Sequence, residues 1–219
     1  MRLIAAEIEE EPALATEVEL SPSVIRIMSG ALDAIASRGV KRLSMSDIID
    51  ASGVSRGTVY RYFSNKDEVL VAVAEYVCVG FETGIREAGA GIEDPMERFK
   101  AVMRFYGRYT NENSPDRVFE VEPAFHLSFF RSRFTRYKQA VLDALEPSFD
   151  YLDGLLDEAI NRDAIVETLV RTQLSTLLVP ASPEWNRIWD ETPENIEKWA
   201  LKIAATYAQD PARKGSSNG

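Results

Sequence analysis

The side chains best placed to do chemistry lie between Ser55 and Lys66, in the run SRGTVYRYFSNK. Read as a short helix, the run puts Val59 and Phe63 four residues apart, where both can pack inward. Arg56, Thr58, Tyr60 and Arg61 then point elsewhere, and all four carry hydrogen-bond donors. A guanidinium can hold the edge of guanine through two parallel bonds, whereas Thr and Tyr hydroxyls suit phosphate oxygens. Gly57 costs a helix about 0.5–1 kcal/mol relative to Ala, so either a close approach to DNA or packing against the preceding helix must compensate. Lys66 and Ser44 stand at the starts of the flanking helices, where free backbone N–H groups favour an anion.

Other chemistries have little to work with. The chain has one histidine, His126, and one cysteine, Cys78, and no phosphate-binding loop. A nucleophile with its base, or a zinc site of the usual composition, is therefore not available, and an all-α enzyme is the least favoured class. No metal or cofactor is expected. His126 follows Phe125 and stands four residues after Glu122, which suits a structural or small-molecule contact. Cys78 reads as a small buried apolar residue, and a single cysteine allows no internal disulfide.

The elements that must position this run are short and well capped. From Ser21, with Pro22 at the first helical position, Val24, Ile27, Met28, Ala31 and Ile35 recur at helical spacing up to Gly39. Ser44 caps a second helix, Met45 to Ser52, with Ile48 and either Ala51 or Ser52 inward, and Gly53 supplies a left-handed turn. Ser55 caps the third helix, which ends near Phe63, and Ser64 is expected to cap the fourth with Asp67 at its third position. Two short helices joined by a tight turn with Gly make a helix-turn-helix.

Beyond Lys66 the pattern is of long helices, so the fold class is all-α. The fourth helix is expected from Lys66 to about Ala88, and the fifth from Asp94 and Pro95 to about Thr110. Pro123 is expected to interrupt residues 116–130, and Pro147 to break or kink a segment from Arg133 to Asn161. Two further helices are expected over Asp163 to Val179 and Pro193 to Ala208. Residues 1–20 read as an acidic arm and 209–219 as a polar tail, both without a packed core of their own.

Charge is distributed unevenly. Of the net −10, residues 1–20 carry one Arg against six Glu, residues 21–70 carry seven Lys or Arg against five acids, and the remainder is acidic again. One locally positive face in a negative chain suits an anionic partner met at that face alone. No apolar run approaches the roughly 20 residues needed to cross a bilayer, and no signal peptide opens the sequence, so a cytoplasmic protein without a membrane partner is expected.

The segment SGVSRGTVYRYFSNKDEVL resembles the TetR family of bacterial transcription regulators. Gly53, Val54, Ser55, Gly57, Tyr60, Tyr62, Phe63, Lys66 and Leu70 match that family's pattern, and Ser52 replaces its usual Ala. The resemblance implies a three-helix DNA-binding domain at 21–66 and a helical ligand-binding and dimerisation domain at 67–208. It carries DNA contacts to Ser44, Ser55, Arg56, Gly57, Thr58, Tyr60, Tyr62 and Lys66. It also implies a homodimer on double-stranded palindromic operator DNA, most simply a repressor released by a small-molecule effector. Activation, or a helical protein-interaction module that keeps the helix-turn-helix, is the alternative. Ile35, Ile49 and the acidic arm depart from the family's usual residues.

Twelve of the 18 Phe and Tyr residues fall between Phe99 and Tyr151. By resemblance the middle helices surround a cavity for a bulky, largely apolar molecule, and an aromatic core is the alternative. The candidate ligand residues are Tyr76, Phe81, Met103, Tyr106, Phe125, His126, Phe129, Phe130, Phe134 and Tyr137. Arg104, Arg108, Arg131, Arg133, Arg136 and Lys138 invite an acidic ligand group or pairing with Glu112, Glu120, Glu122 or Asp143. Dimerisation is expected through Ile165, Leu169, Leu177, Leu178, Ile196, Trp199, Ile203 and Tyr207.

Overall fold

The computed structural model describes residues 21–112, 123–156, 159–175 and 182–208. The acidic arm, the tail, Phe119, Glu120, Glu122, Leu177 and Leu178 lie outside the described residues, as do the side chains of Glu112, Trp199, Ile203 and Tyr207. Eight helices account for most of what is described: α1 Pro22–Arg38, α2 Met45–Ser52, α3 Arg56–Tyr62, α4 Lys66–Gly89, α5 Pro95–Glu112, α6 Pro123–Leu156, α7 Arg162–Ser175 and α8 Pro183–Ala208. There is no strand among the described residues.

Prolines and capping side chains explain where these helices begin. Pro22, Pro95, Pro123 and Pro183 each take a first helical position, where the missing N–H costs nothing and the fixed φ suits the helix. Ser21, Ser44, Ser55, Asp94, Asn161 and Ser182 accept from backbone N–H groups of the first turns that follow them. The α4 cap differs from the expectation. Asn65, not Ser64, accepts from the Glu68 N–H at 3.0 Å, and the Glu68 carboxylate reaches back to the Ser64 N–H at 2.7 Å.

Two further expectations are corrected. Residues 116–122, which precede Pro123, lie outside the described ones, and α6 starts at Pro123 and runs unbroken through Pro147 to Leu156 where a break or kink was expected. Pro147 and Asp143 are both exposed, so the carbonyl that Pro147 deprives of a donor lies on the solvent side, where water can satisfy it. The last helix begins at Pro183 and passes through Pro193, ahead of the expected start.

The chain divides into two compact units. Among the described residues, the first takes those up to Phe81 together with 123–135, and the second takes 82–112 with those from 136 onward. The first is built on Ile27, Met28, Ala31, Ile35, Ile48, Val59 and Val69, all buried, with Val54 and Val73 closing the cluster. In the second, Phe99, Val102, Met103, Val141, Leu145, Phe149, Val166 and Val170 are buried, and Gly84 on α4 lets the Phe105 ring come so near that an added Cβ would lie 2.4 Å from it. Arg98 ties three helices of this unit, donating to the carbonyls of Gly89 at 2.7 Å and Ala144 at 3.0 Å. The buried Ser148 hydroxyl donates to the Pro95 carbonyl at 2.6 Å. Cys78 is buried, as a small apolar side chain would be.

Candidate nucleic-acid interface

The helix-turn-helix is held at its turn by side chains from three places. Gly53 adopts φ 59°, ψ 22°, the left-handed conformation that closes α2, and its N–H bonds the Ile49 carbonyl. Arg26 on α1 covers the α2 terminus, donating to the carbonyls of Gly53 at 2.8 Å and Ser52 at 3.4 Å. Gly30 lets α1 meet α2 closely, since a Cβ there would lie 2.4 Å from the Ser52 nitrogen. Ser52, not Ala51, is the inward residue, and its hydroxyl bonds the Ile49 carbonyl at 3.1 Å. Ser44 and Asp47 form a reciprocal capping box at the start of α2. The Ser44 hydroxyl, the Ser44 N–H and the neighbouring Arg38 guanidinium hold the Asp47 carboxyl below its ordinary range.

On α3, Val59 is fully buried and Phe63 packs half-buried against the same core. At 100° per residue, Gly57 and Arg61 fall almost opposite Val59, with Tyr60 on one flank and Thr58 on the other. Arg56, Gly57, Tyr60 and Arg61 are exposed, Tyr60 by 43%. Nothing lies within 4 Å of a Cβ built on Gly57. Packing against the preceding helix therefore does not account for this glycine, and its bare surface faces outward.

The candidate side chains are already anchored inside the unit. Arg56 donates to the Ser46 hydroxyl at 3.3 Å, Ser55 and Thr58 share a hydroxyl bond of 2.8 Å, and the Lys66 ammonium donates to the Val40 carbonyl at 3.2 Å. The Tyr62 hydroxyl lies 3.2 Å from that of Ser21, the α1 cap, and accepts from Arg61 at 3.4 Å. Those two bonds, Ser21 first, hold the pKa of the Tyr62 phenol below its ordinary range. The Arg61 guanidinium also rests 4.9 Å from the Tyr62 ring centroid. Seven candidates, Ser55 to Lys66, therefore belong to α3 and its two flanks, while Ser44 stands at the start of α2. Arg61, one of the four donors named in the run though not among the contacts that the resemblance carries over, shares this face. Arg26 was not among the sequence candidates and carries no local signal, because its partners are 26 and 27 residues away.

Residues 27–73 match the family described as bacterial regulatory proteins, tetR family. The helix-turn-helix is that of the TetR family, and the chain is a DNA-binding transcriptional regulator. The fatty acid metabolism regulator protein of Bacillus subtilis is 24% identical over 152 residues, which is 68% of this chain and 73% of that one. The transcriptional activator FasR of Mycolicibacterium smegmatis is 22% identical over 173 residues, covering 79% of this chain and 74% of its own. Among solved structures, the fatty acid degradation regulator FadR from Bacillus halodurans superposes with a TM-score of 0.57 at 20% identity, covering 85% of this chain and 96% of that one. The relatives are regulators and not enzymes, and the family match spans α2 and α3 whole.

The candidate ligand residues of this regulator divide between its units. Tyr76, Phe81, Phe125, His126, Phe129, Phe130 and Phe134 belong to the first, and Met103, Tyr106 and Tyr137 to the second. Phe81, Met103 and Tyr106 are buried, and burial pushes the Tyr106 phenol strongly upward. Phe125 meets His126, and Phe129 meets Phe130, edge to face at 5.3 and 5.4 Å. Two of the basic residues pair with acids other than those expected. Arg136 pairs with Glu82, and Lys138 with Asp163 at 2.8 Å, while Arg104 and Arg108 are exposed. No group of three His, Cys, Asp or Glu that could hold a metal occurs among the described residues, and no described helix is long and apolar enough to cross a membrane.

Proposed function

We propose that the protein is an effector-released repressor that binds a palindromic operator as a homodimer. The observation that carries the DNA-reading part is the outward face of α3, where Arg56, Tyr60 and Arg61 surround a glycine with open space above it. Such a face brings the helix backbone close to DNA while two guanidinium groups reach base edges or phosphates. Ser44, Ser55, Thr58, Tyr62 and Lys66 fix the register around it.

The dimer reading is supported by α7 and α8. Ile165, Leu169 and Ile196 are only half-buried within one chain, and Leu201 is 46% exposed. A second copy that covers them would make the four-helix contact expected of two such helix pairs. The effector reading is supported by the aromatic side chains beyond α3. A long-chain acyl compound is the first candidate, because the Bacillus subtilis relative is a regulator of fatty acid metabolism. The named activator among the relatives favours activation as the second reading.

One experiment orders these claims. The purified protein is titrated onto its own upstream DNA in a gel shift, then challenged with acyl-coenzyme A and free fatty acids. Release of DNA by ligands that also raise the melting temperature supports the inducer reading. Stabilisation without release keeps a binding site and refutes the inducer. In vitro transcription from the same DNA separates repression from activation.

A further inference from the structure

The acidic arm begins where the DNA-reading face ends. Ser21 is the first described residue, and its hydroxyl lies 3.2 Å from that of Tyr62, the last residue of α3. The same phenol accepts from Arg61 at 3.4 Å, and the Arg61 guanidinium rests over its ring. The root of the arm is thus two hydrogen bonds from a cation on the outward face of α3. Glu19 and Glu17 stand immediately upstream in the chain, followed by Glu11, Glu10, Glu9 and Glu7, with Arg2 as the only basic side chain of residues 1–20.

We propose that residues 1–20 dock on the DNA-reading face of their own protomer and compete with DNA for Arg56 and Arg61. Length permits it. Twenty residues reach up to about 70 Å when extended, whereas a seven-residue helix such as α3 is about 10 Å long. Charge favours it, since a segment of one Arg against six Glu meets a face on which Arg56 and Arg61 are exposed. Tethering supplies the rest, because a segment joined directly to its binding surface acts at an effective concentration in the millimolar range. Carboxylates then occupy the positions that phosphates take in the complex. A weak contact of this kind raises the threshold for non-specific DNA, which offers phosphates alone, more than for an operator that also rewards base contacts.

The inference rests on α3 being the DNA-reading helix, and the test separates the two. Three proteins are compared: the full chain, a chain lacking residues 1–20, and a full chain with Glu7, Glu9, Glu10, Glu11, Glu17 and Glu19 all changed to Gln. Two or three exposed pairs held in a tethered segment correspond to a gain of about 3- to 30-fold in DNA affinity when they are removed. The gain should appear in both variants near 50 mM salt and shrink toward parity near 500 mM, where exposed pairs are screened. Without DNA, amide resonances of Arg56, Gly57, Tyr60 and Arg61 should shift on deletion and return when a peptide of residues 1–20 is added. Unchanged resonances overturn the docking, even if affinity rises through simple repulsion of DNA by the arm. Unchanged affinity overturns the competition. If Arg56→Ala leaves DNA binding intact, the assignment of α3 fails instead, while the resonances still decide whether the arm docks.

Discussion

Replacing Gly57 by alanine should move folding stability and DNA affinity in opposite directions. A Cβ at this position meets nothing within 4 Å, so the folded protein accommodates it without displacement. Alanine is favoured over glycine in a helix interior by about 0.5–1 kcal/mol, and Gly57 is the second residue of α3, where the lower end of that range applies. A gain of about 0.5 kcal/mol raises the melting temperature of a chain this size by about 1–2 °C. The same methyl group projects from the face opposite Val59, between Arg56 and Arg61. If the α3 backbone approaches the duplex there, the methyl must displace phosphate or base atoms, and a loss of about 1.4 kcal/mol or more weakens binding at least tenfold. Circular-dichroism melts and fluorescence-anisotropy titrations with operator DNA measure the two effects separately. Operator affinity within twofold of wild type would show that DNA does not approach Gly57. A lowered melting temperature would show that the space above it is not open in solution.

Other substitutions follow from the same geometry. Arg56→Ala should cost about 1–3 kcal/mol on the operator and relax base choice at one position per half-site, which competition with single-base operator variants would reveal. Lys66→Ala should weaken all sequences alike and flatten the salt slope by about 1; its effect on stability should stay below about 1 kcal/mol, because the Val40 carbonyl keeps its bond from the Leu43 N–H at 3.3 Å. Gly30→Ala sets a methyl against the Ser52 backbone at 2.4 Å and should destabilise by about 1–3 kcal/mol in urea melts. The folded-state pKa of Asp47 lies below the usual aspartate value near 3.9, so its contribution is complete above about pH 5 and is lost as pH falls below 4. The stability gap between wild type and Asp47→Asn should accordingly narrow on acidification, and a gap independent of pH would reassign the Asp47 interactions.

The parts of this fold that were legible in the sequence depend on neighbours in the chain. Caps, glycine stops and the inward positions of α1 to α3 all involve residues within about four of one another, and there Ile27, Met28, Ile48 and Val59 are buried as their spacing predicts. The shift of the α4 cap from Ser64 to Asn65 is an error of a single residue, because both types cap equally well and only the Glu68 carboxylate decides between them. Helix continuity was less legible. Whether Pro147 breaks α6 depends on which side faces water, and Pro193 raises the same question in α8. Least legible were long-range side-chain to backbone bonds. Arg26 on Gly53 and Arg98 on Ala144 join residues 27 and 46 apart, and no pattern of residue types announces them.

Bonds within the helix-turn-helix unit bear on how a chain of net charge −10 can read DNA. A flexible cationic surface would have to order its side chains on binding, at about 0.5–1.5 kcal/mol for each long side chain. In the first unit that ordering is partly done in advance. Arg56 is held by one bond to Ser46, which leaves four of its five N–H donors for DNA. Lys66 commits one of three ammonium protons to Val40 and keeps two. Arg61 rests 4.9 Å from the Tyr62 ring centroid and donates to the Tyr62 hydroxyl, two contacts that restrict its side chain before DNA arrives. Ser55, already capping α3, shares its hydroxyl bond with Thr58, so a phosphate arriving there meets oriented donors. Preorganisation of this kind raises affinity without raising charge, so overall acidity lowers the rate and strength of non-specific encounters while the reading face stays competent. The balance between the two is open to measurement through salt: operator affinity should fall with a slope set by the few phosphates that α2, α3 and the start of α4 can touch, and not by the net charge of the chain.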